Sequence, residues 1–269
     1  MNRYNNTFKR LKKNKEKALI PFVVVGDPNY KTSLEIVKTT INAGADILEL
    51  GQTFSDPIAD GPTIQAADVR AQKAGMNTNS LFGFIKQIRK FNNQIPIGLL
   101  IYTNLIYQRG IDKFYKDAAQ AGIDSVLIAD LPIEEADYYI KAARKNKVNT
   151  VFIVSPLTSN ERLKKIIGKV KGFIYVVSRL GVTGARQDLQ KGTLQLLKRI
   201  RPQTKLPLCV GFGISKPEHV KEVCKSGADG AIVGSAIVKI IEKNLKNKKL
   251  MLKKIENYVK QLKEATKWR

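Results

Sequence analysis

Histidine and cysteine are nearly missing from this chain. It holds one histidine, His219, and two cysteines, Cys209 and Cys224, in 269 residues. Two cysteines are too few for a disulfide scaffold and fit a reducing compartment. Without a Cys/His cluster there is no basis for a zinc site, and no metal is expected. Long apolar runs are missing too: none reaches the roughly 18 residues that span a bilayer. The stretch Ala18 to Gly26 (ALIPFVVVG) follows a basic segment, as the core of a secretory signal would. It contains Pro21, lacks a small-x-small cleavage motif and runs into Asp27-Pro28, so it reads as an internal strand. No linker or low-complexity stretch divides the sequence. A single domain over residues 1–269 is expected, away from membranes, in the cytoplasm (or an organelle stroma if plastid-encoded).

Negative charge is the next scarcity. Against 47 lysines and arginines stand 23 aspartates and glutamates, a net +24. Such an excess suggests nucleic-acid binding. Its location argues otherwise. Residues 1–17 carry seven basic groups and one acidic, and residues 239–269 carry eleven and three. Both segments pattern as amphipathic helices, with Phe8 and Leu11 on one and Leu250, Ile255, Val259 and Leu262 on the other, so their lysines are expected on solvated faces. No basic strand interleaved with aromatics and no zinc finger is present, and no specific nucleic-acid partner is expected.

What is there is an alternation. Eight short apolar runs read as strands: Leu19–Val25, Asp46–Leu50, Ile97–Ile101, Ser125–Ala129, Thr150–Val154, Phe173–Val177, Leu208–Gly211 and Gly230–Val233. Helical patterns separate them, among them Lys31–Asn42, Asn79–Phe91, Ile111–Ala121, Ile133–Asn146, Asn160–Val170, Gly192–Ile200 and Pro217–Ser226. Continuous apolar strands alternating with helices predict parallel strands covered on their faces. A weak repeat runs through "NAGADILELG" from Asn42, "QAGIDSVLIAD" from Gln120 and "KSGADGAIVGS" from Lys225. In each, a glycine ends the helix and an aspartate opens the strand. Eight such units close into a (β/α)8 TIM barrel, here with an extra N-terminal helix, whose active site lies at the C-terminal strand ends.

Three glycine-rich turns follow the last three strands: "SRLGVTGAR" (178–186), "VGFGIS" (210–215) and "VGSAIV" (233–238). Glycine lets backbone N–H groups approach a phosphate, and a helix N-terminus adds partial positive charge. The segment 235–238 reads as a short phosphate-binding helix, with Ser235 as both cap and ligand.

The acids that remain concentrate in "ILELGQTFSDPIADGPTIQ" (47–65). Asp56 and Asp60 each fit turn chemistry. Glu49 ends an apolar strand, where partial desolvation raises a carboxyl's pKa towards neutrality. Asp60, on the loop above, is placed to stay ionised. Two carboxylates in unlike surroundings can run acid and base steps in one site. Proton transfer with C–C or C–N cleavage on a phosphorylated substrate is the class these residues imply.

At this point the motifs match a family. "ALIPFVVVGDP" (18–28), "GADILELG" with "FSDPIADGPTIQ" (44–65), "GIDSVLIADLPIEE" (122–135), "GVTGAR" (181–186), "GFGISKPEHV" and "GADGAIVGSAIV" (211–238) occur in order. Over essentially its whole length the chain resembles the alpha subunit of tryptophan synthase. That resemblance implies a carbon–carbon lyase performing retro-aldol cleavage of indole-3-glycerol phosphate to indole and glyceraldehyde 3-phosphate. It implies Glu49 as general acid/base and Asp60 as the acid facing the indole nitrogen. Phe22, Leu100, Tyr102, Leu127, Ala129, Ile153, Tyr175, Thr183 and Phe212 match positions lining the substrate pocket. Gly184, Gly213, Gly234 and Ser235 match the phosphate cradle, and Asp56 and Pro57 a loop facing the partner. The resemblance further implies an α2β2 complex with a beta subunit that receives indole and alone carries pyridoxal phosphate; no cofactor is expected here. Three residues depart from the family's usual pattern: Gln52 and Thr53 stand for an apolar residue and a proline, and Val24 for a threonine. Losing that proline is expected to loosen the loop. A catalytically weakened subunit acting mainly as activator of its partner is the alternative.

Overall fold

The computed structural model describes residues 3–177, 186–211 and 213–267, with backbone alone for 186–191. Its strands are β1 (Ala18–Val24), β2 (Leu48–Gly51), β3 (Ile97–Ile101), β4 (Ser125–Ile128), β5 (Asn149–Val151), β6 (Ile153–Val154), β7 (Ile174–Val177), β8 (Leu208–Gly211) and β9 (Gly230–Val233). Every pairing between them is parallel, and β1 pairs with both β2 and β9. One predicted strand is two elements. Thr150–Val154 is interrupted at Phe152, so that β5 pairs back to β4 and β6 forward to β7. That switch within one extended segment closes the sheet, and the eight predicted strand positions stand.

Helices cover the outside: α2 (Tyr30–Asn42), α3 (Pro62–Lys73), α4 (Thr78–Phe91), α5 (Thr103–Arg109), α6 (Ile111–Ala121), α7 (Asp137–Lys145), α8 (Asn160–Lys169), α9 (Arg186–Ile200), α10 (Pro217–Lys225), α11 (Ser235–Lys243) and α12 (Lys248–Glu264), preceded by α1 (Arg3–Lys13). The pattern over Ile133–Asn146 resolves into a 3₁₀ turn, Ile133–Glu135, and α7. Strand side chains alternate between two cores. Leu48, Leu50, Leu99 and Val126 pack outward beneath the helices, while Ile20, Ile47, Leu127, Phe173 and Tyr175 fill the barrel. This is why the strands read as continuous apolar runs.

The internal repeat has a structural reason. Gly44, Gly122 and Gly227 all take positive φ (106°, 96° and 97°). The aspartate two residues on turns its carboxylate to an N–H at the start of a neighbouring strand. Asp46 accepts from Leu19 at 3.0 Å, Asp124 from Ile97 at 2.8 Å and Asp229 from Leu208 at 3.0 Å. Each is also paired with two cations. Arg10 and Lys263 meet Asp46 at 2.7 and 2.8 Å, and Arg3 and Arg89 meet Asp124 at 2.8 and 2.6 Å. Lys17 and Arg201 hold Asp229. Arg3, Arg10 and Lys17 recur every seven residues, one for each repeat aspartate. The expectation that the terminal lysines line solvated faces is therefore corrected for Lys17 and Lys263, which are anchors, because a barrel's N-terminal rim collects carboxylates that need counter-charge. Tyr4 joins them inside. It is fully buried, stacks obliquely on Phe173 and hydrogen-bonds Ser125 Oγ at 2.7 Å. Together with Leu11 it sets the apolar face of α1 into the inner core.

Candidate active site

Glu49 sits on β2 in register with Phe22 on β1 and Gly98 on β3. Alternation from Ile47 turns it into the barrel, where it is 4% exposed. A void of about 10 Å³ lies beside it, bounded also by Tyr4, Ser125, Leu127 and Phe173. That is about the room one water needs. Desolvation, and then the nearby charge of Asp60, push the Glu49 carboxyl from 4.5 up to about 8. A glutamate so placed keeps its proton near neutrality and can both give and take one.

Asp60 lies in the loop between β2 and α3, half-buried. Its Oδ2 accepts from the Tyr102 hydroxyl at 2.7 Å, and that same oxygen of Tyr102 accepts from Ala59 N at 3.1 Å. Burial raises the Asp60 pKa and the Tyr102 hydrogen bond opposes the rise. The two acids thus sit in unlike surroundings: Glu49 buried among barrel side chains, Asp60 half-buried and hydrogen-bonded by Tyr102. Tyr102, expected only to line the pocket, is also the donor that holds Asp60. Phe54 stacks on its ring with centroids 5.0 Å apart.

The mouth around these acids is apolar. Phe22, Tyr102, Leu127 and Tyr175 are buried, and Leu100, Ala129 and Ile153 are half-buried at the strand ends. Glycines make room for the two largest rings. A Cβ at Gly51 would come within 2.6 Å of the Phe22 ring, and one at Gly211 within 2.3 Å of the Tyr175 hydroxyl. Burial also pushes the Tyr175 hydroxyl pKa well up, so the ring carries no charge into the site.

Gly213 has φ +75°, and Gly234 caps α11 with no side-chain hydrogen bond. The expected role of Ser235 as cap is corrected here. It is the first helical residue, exposed, and α11 runs nine residues rather than four because Ile237, Val238 and Ile241 bury an apolar face. The first N–H groups of α11 open beside Gly234, a start suited to an anion. Thr183, Gly184 and Phe212 lie outside the described residues. Asp56 and Pro57 lie on the outer part of the Asp60 loop, next to Ile58, which is 83% exposed. A groove of about 570 Å³ between α10 and α12, lined by Glu218, Lys221, Cys224 and Lys267 among others, contains none of these residues.

The loop departures prove to be packed. Gln52 and Thr53 are both buried, and Thr53 Oγ1 donates to the Asp68 carbonyl at 3.0 Å. A hydroxyl tie thus offsets the freedom that loss of proline brings. Gln52 Oε1 is left without a partner among the described residues. Val24, at 1% exposure, fills its place on β1. Asp68 itself escaped sequence reading. Its only signal was an acid placed between Ala67 and Ala71 on the buried face of α3.

The fold and the site together define a (β/α)8 barrel with two carboxyl groups in unlike surroundings at its C-terminal mouth. Comparison with known proteins makes this specific. The family model described as "Tryptophan synthase alpha chain" matches residues 8–267. A tryptophan synthase alpha chain of Methanothermobacter thermautotrophicus is 52% identical over 92% of both chains. One of Helicobacter pylori is 50% identical over 96% of this chain and 98% of its own. The crystal structure of tryptophan synthase subunit alpha from Legionella pneumophila superposes with a TM-score of 0.91 at 35% identity, covering 99% of this chain and 98% of that one. The chain belongs to the tryptophan synthase alpha chain family, and its role is in tryptophan biosynthesis.

Proposed function

We propose that the chain cleaves indole-3-glycerol phosphate into indole and glyceraldehyde 3-phosphate. The observation that carries this reading is the Glu49 carboxyl, buried and raised to about 8 beside an Asp60 held by Tyr102. Glu49 protonates the indole carbon that bears the glycerol chain. Positive charge then develops at the ring nitrogen, where Asp60 opposes it. The Glu49 carboxylate next takes the proton of the adjacent glycerol hydroxyl. The C–C bond breaks, its electrons return to the ring, and the former hydroxyl carbon becomes the aldehyde. One proton enters and one leaves, so no water is consumed.

Phe22, Leu100, Leu127, Ala129, Ile153 and Tyr175 would enclose the apolar ring; the family resemblance adds Thr183 and Phe212. The phosphate would sit on Gly213, Gly234 and Ser235 at the start of α11; the family resemblance adds Gly184. A beta chain is the partner, in an α2β2 assembly. Exposed Ile58, Tyr107 and Leu157 flank the same mouth and support an interface there, next to Asp56 and Pro57. Pyridoxal phosphate is assigned to that partner alone. The enzyme works in the cytoplasm; no helix among the described residues is long and apolar enough to cross a membrane. The test is indole release by the purified protein with its beta partner. Glu49→Gln should lower it by roughly 10²–10⁴-fold, the usual contribution of a general acid/base. Partner activation without any indole release would overturn the lyase reading in favour of an activator subunit.

A further inference from the structure

The turn after β1, Gly26-Asp27-Pro28, contains an acid that the cleavage steps leave unused. Asp27 is fully buried there, between β1 and α2. Arg70 of α3 reaches it across 43 positions and holds it with a fork. Its Nε donates to Oδ1 at 2.7 Å and one terminal nitrogen donates to Oδ2 at 2.9 Å. The other terminal nitrogen faces Glu242 Oε1 of α11 at 3.6 Å. One guanidinium thus joins three segments, and each belongs to a different part of the site. The turn is anchored to β2, the strand of Glu49, by the Val25 N–H donating to the Gly51 carbonyl at 2.9 Å. α3 begins two residues after Asp60, and Gln65 in its first turn donates to the Asp60 carbonyl at 2.8 Å. α11 begins at Ser235, where the phosphate is placed. We infer that Arg70 is a positioning residue for the cleavage reaction, fixing where Asp60 stands relative to Glu49 and to the phosphate-binding end of α11. The inference rests on the lyase reading given above.

The pair is built for geometry more than for stability. A buried ion pair gains little over an apolar pair of the same shape, since desolvation offsets the attraction. What it adds is direction. Two parallel N–H···O bonds fix the plane of the guanidinium against the carboxylate, which a single contact cannot do. Asp27 is held from its own side as well. Gly26 takes φ +89°, its N–H donates to Ser33 Oγ of α2 at 3.0 Å, and the Asp27 N–H donates to the Val24 carbonyl at 3.3 Å. The turn also lies flush on the end of α3, where a Cβ on Gly26 would come within 2.7 Å of Met76 Cγ. On the far side, the Glu242 side chain is 44% exposed, so the α11 contact is the weaker branch. α3 packs on both β1 and α11. Apolar packing is not directional and does not by itself fix how far the helix slides along them. The fork does.

The test uses the protein with its beta partner and compares kcat and KM for indole release with the affinity for inorganic phosphate. Arg70→Lys keeps a cation beside Asp27 and loses the fork. Asp27→Asn keeps the shape and leaves Arg70, whose side chain is 19% exposed, in reach of water. Both should fold, as far-ultraviolet circular dichroism would show. In each, kcat should fall roughly ten- to a hundredfold, the size expected when a reacting group is misplaced by about 1 Å. KM and the phosphate Kd should stay near the wild-type values, because the N-terminus of α11 is untouched. The double variant should lose no more than either single one, since both act through one contact. Amide exchange at Ile64 and Gln65, whose N–H groups donate to the Gly61 carbonyl at 2.9 and 3.1 Å, should quicken in both variants. Wild-type kcat in Arg70→Lys and Asp27→Asn overturns the positioning role. So does a loss carried by KM and phosphate affinity together, which would mean a slackened cradle, and so do additive losses in the double variant. If the wild type releases no indole, the lyase reading fails. Exchange at Ile64 and Gln65 then still decides the tie between Arg70 and the Asp60 loop: faster exchange upholds it and unchanged exchange overturns it.

Discussion

Replacing Glu49 with glutamine should make the protein more stable while removing its chemistry. In the folded chain the Glu49 carboxyl holds its proton up to about 8, against an ordinary 4.5. Below about pH 4.5 both folded and unfolded states are protonated, and the group contributes nothing. Between 4.5 and 8 the unfolded chain ionises while the folded one keeps its proton. The folded state then binds more protons, so stability falls as pH rises. At about 1.36 kcal/mol per pH unit, the loss reaches about 4 kcal/mol at pH 7.5. A glutamine never ionises and avoids this, though its amide forgoes about 1 kcal/mol of hydrogen bonding in a site shaped for an acid. Glu49→Gln should therefore gain about 3 kcal/mol at pH 7.5, a rise of about 5–10 °C in Tm. Urea unfolding followed by far-ultraviolet circular dichroism, at half-unit steps from pH 4.5 to 8.5, measures the gap. It should open steadily with pH, close near about pH 5 and reverse slightly below that. Equal stabilities at pH 8, or a gap that does not shrink in acid, would show that Glu49 is not held protonated and would sink the acid/base assignment.

Other outcomes follow from the same contacts. Tyr102→Phe removes the donor that favours ionised Asp60. The acid limb of kcat/KM should move to higher pH, with kcat reduced roughly tenfold and Tm nearly unchanged, as steady-state assays from pH 5 to 9 would show. Asp124→Ala strands Arg3, Arg89 and the Ile97 N–H together. Chemical denaturation should reveal a loss of about 3–5 kcal/mol, the usual consequence of breaking a buried ion pair. Gln52→Leu deletes the buried Oε1 that has no partner among the described residues, and should stabilise the chain by about 1–2 kcal/mol in the same assay.

The sequence by itself determined the barrel and the place of its acids. Strand periodicity, helix-ending glycines and repeat aspartates are local signals, because each reflects the backbone's own conformational and hydrogen-bonding needs. Glu49 was legible for the same reason: an acid at the end of an apolar strand is an exception to burial wherever the fold places it. Tertiary structure decided the rest. Arg3 reaches Asp124 across 121 positions and Tyr102 reaches Asp60 across 42, and no spacing rule predicts such meetings. The split at Phe152 depended on which neighbour each half of that segment would pair with. Whether Thr53 loosens its loop or fastens it turned on a helix carbonyl 15 residues away. Asp68 drew no reading from the sequence. Only the packed interior, which removes its water and sets Asp60 and Asp27 beside it, makes that side chain hold a proton. Pattern records what a residue prefers, but desolvation and charge are properties of the neighbours that folding brings to it.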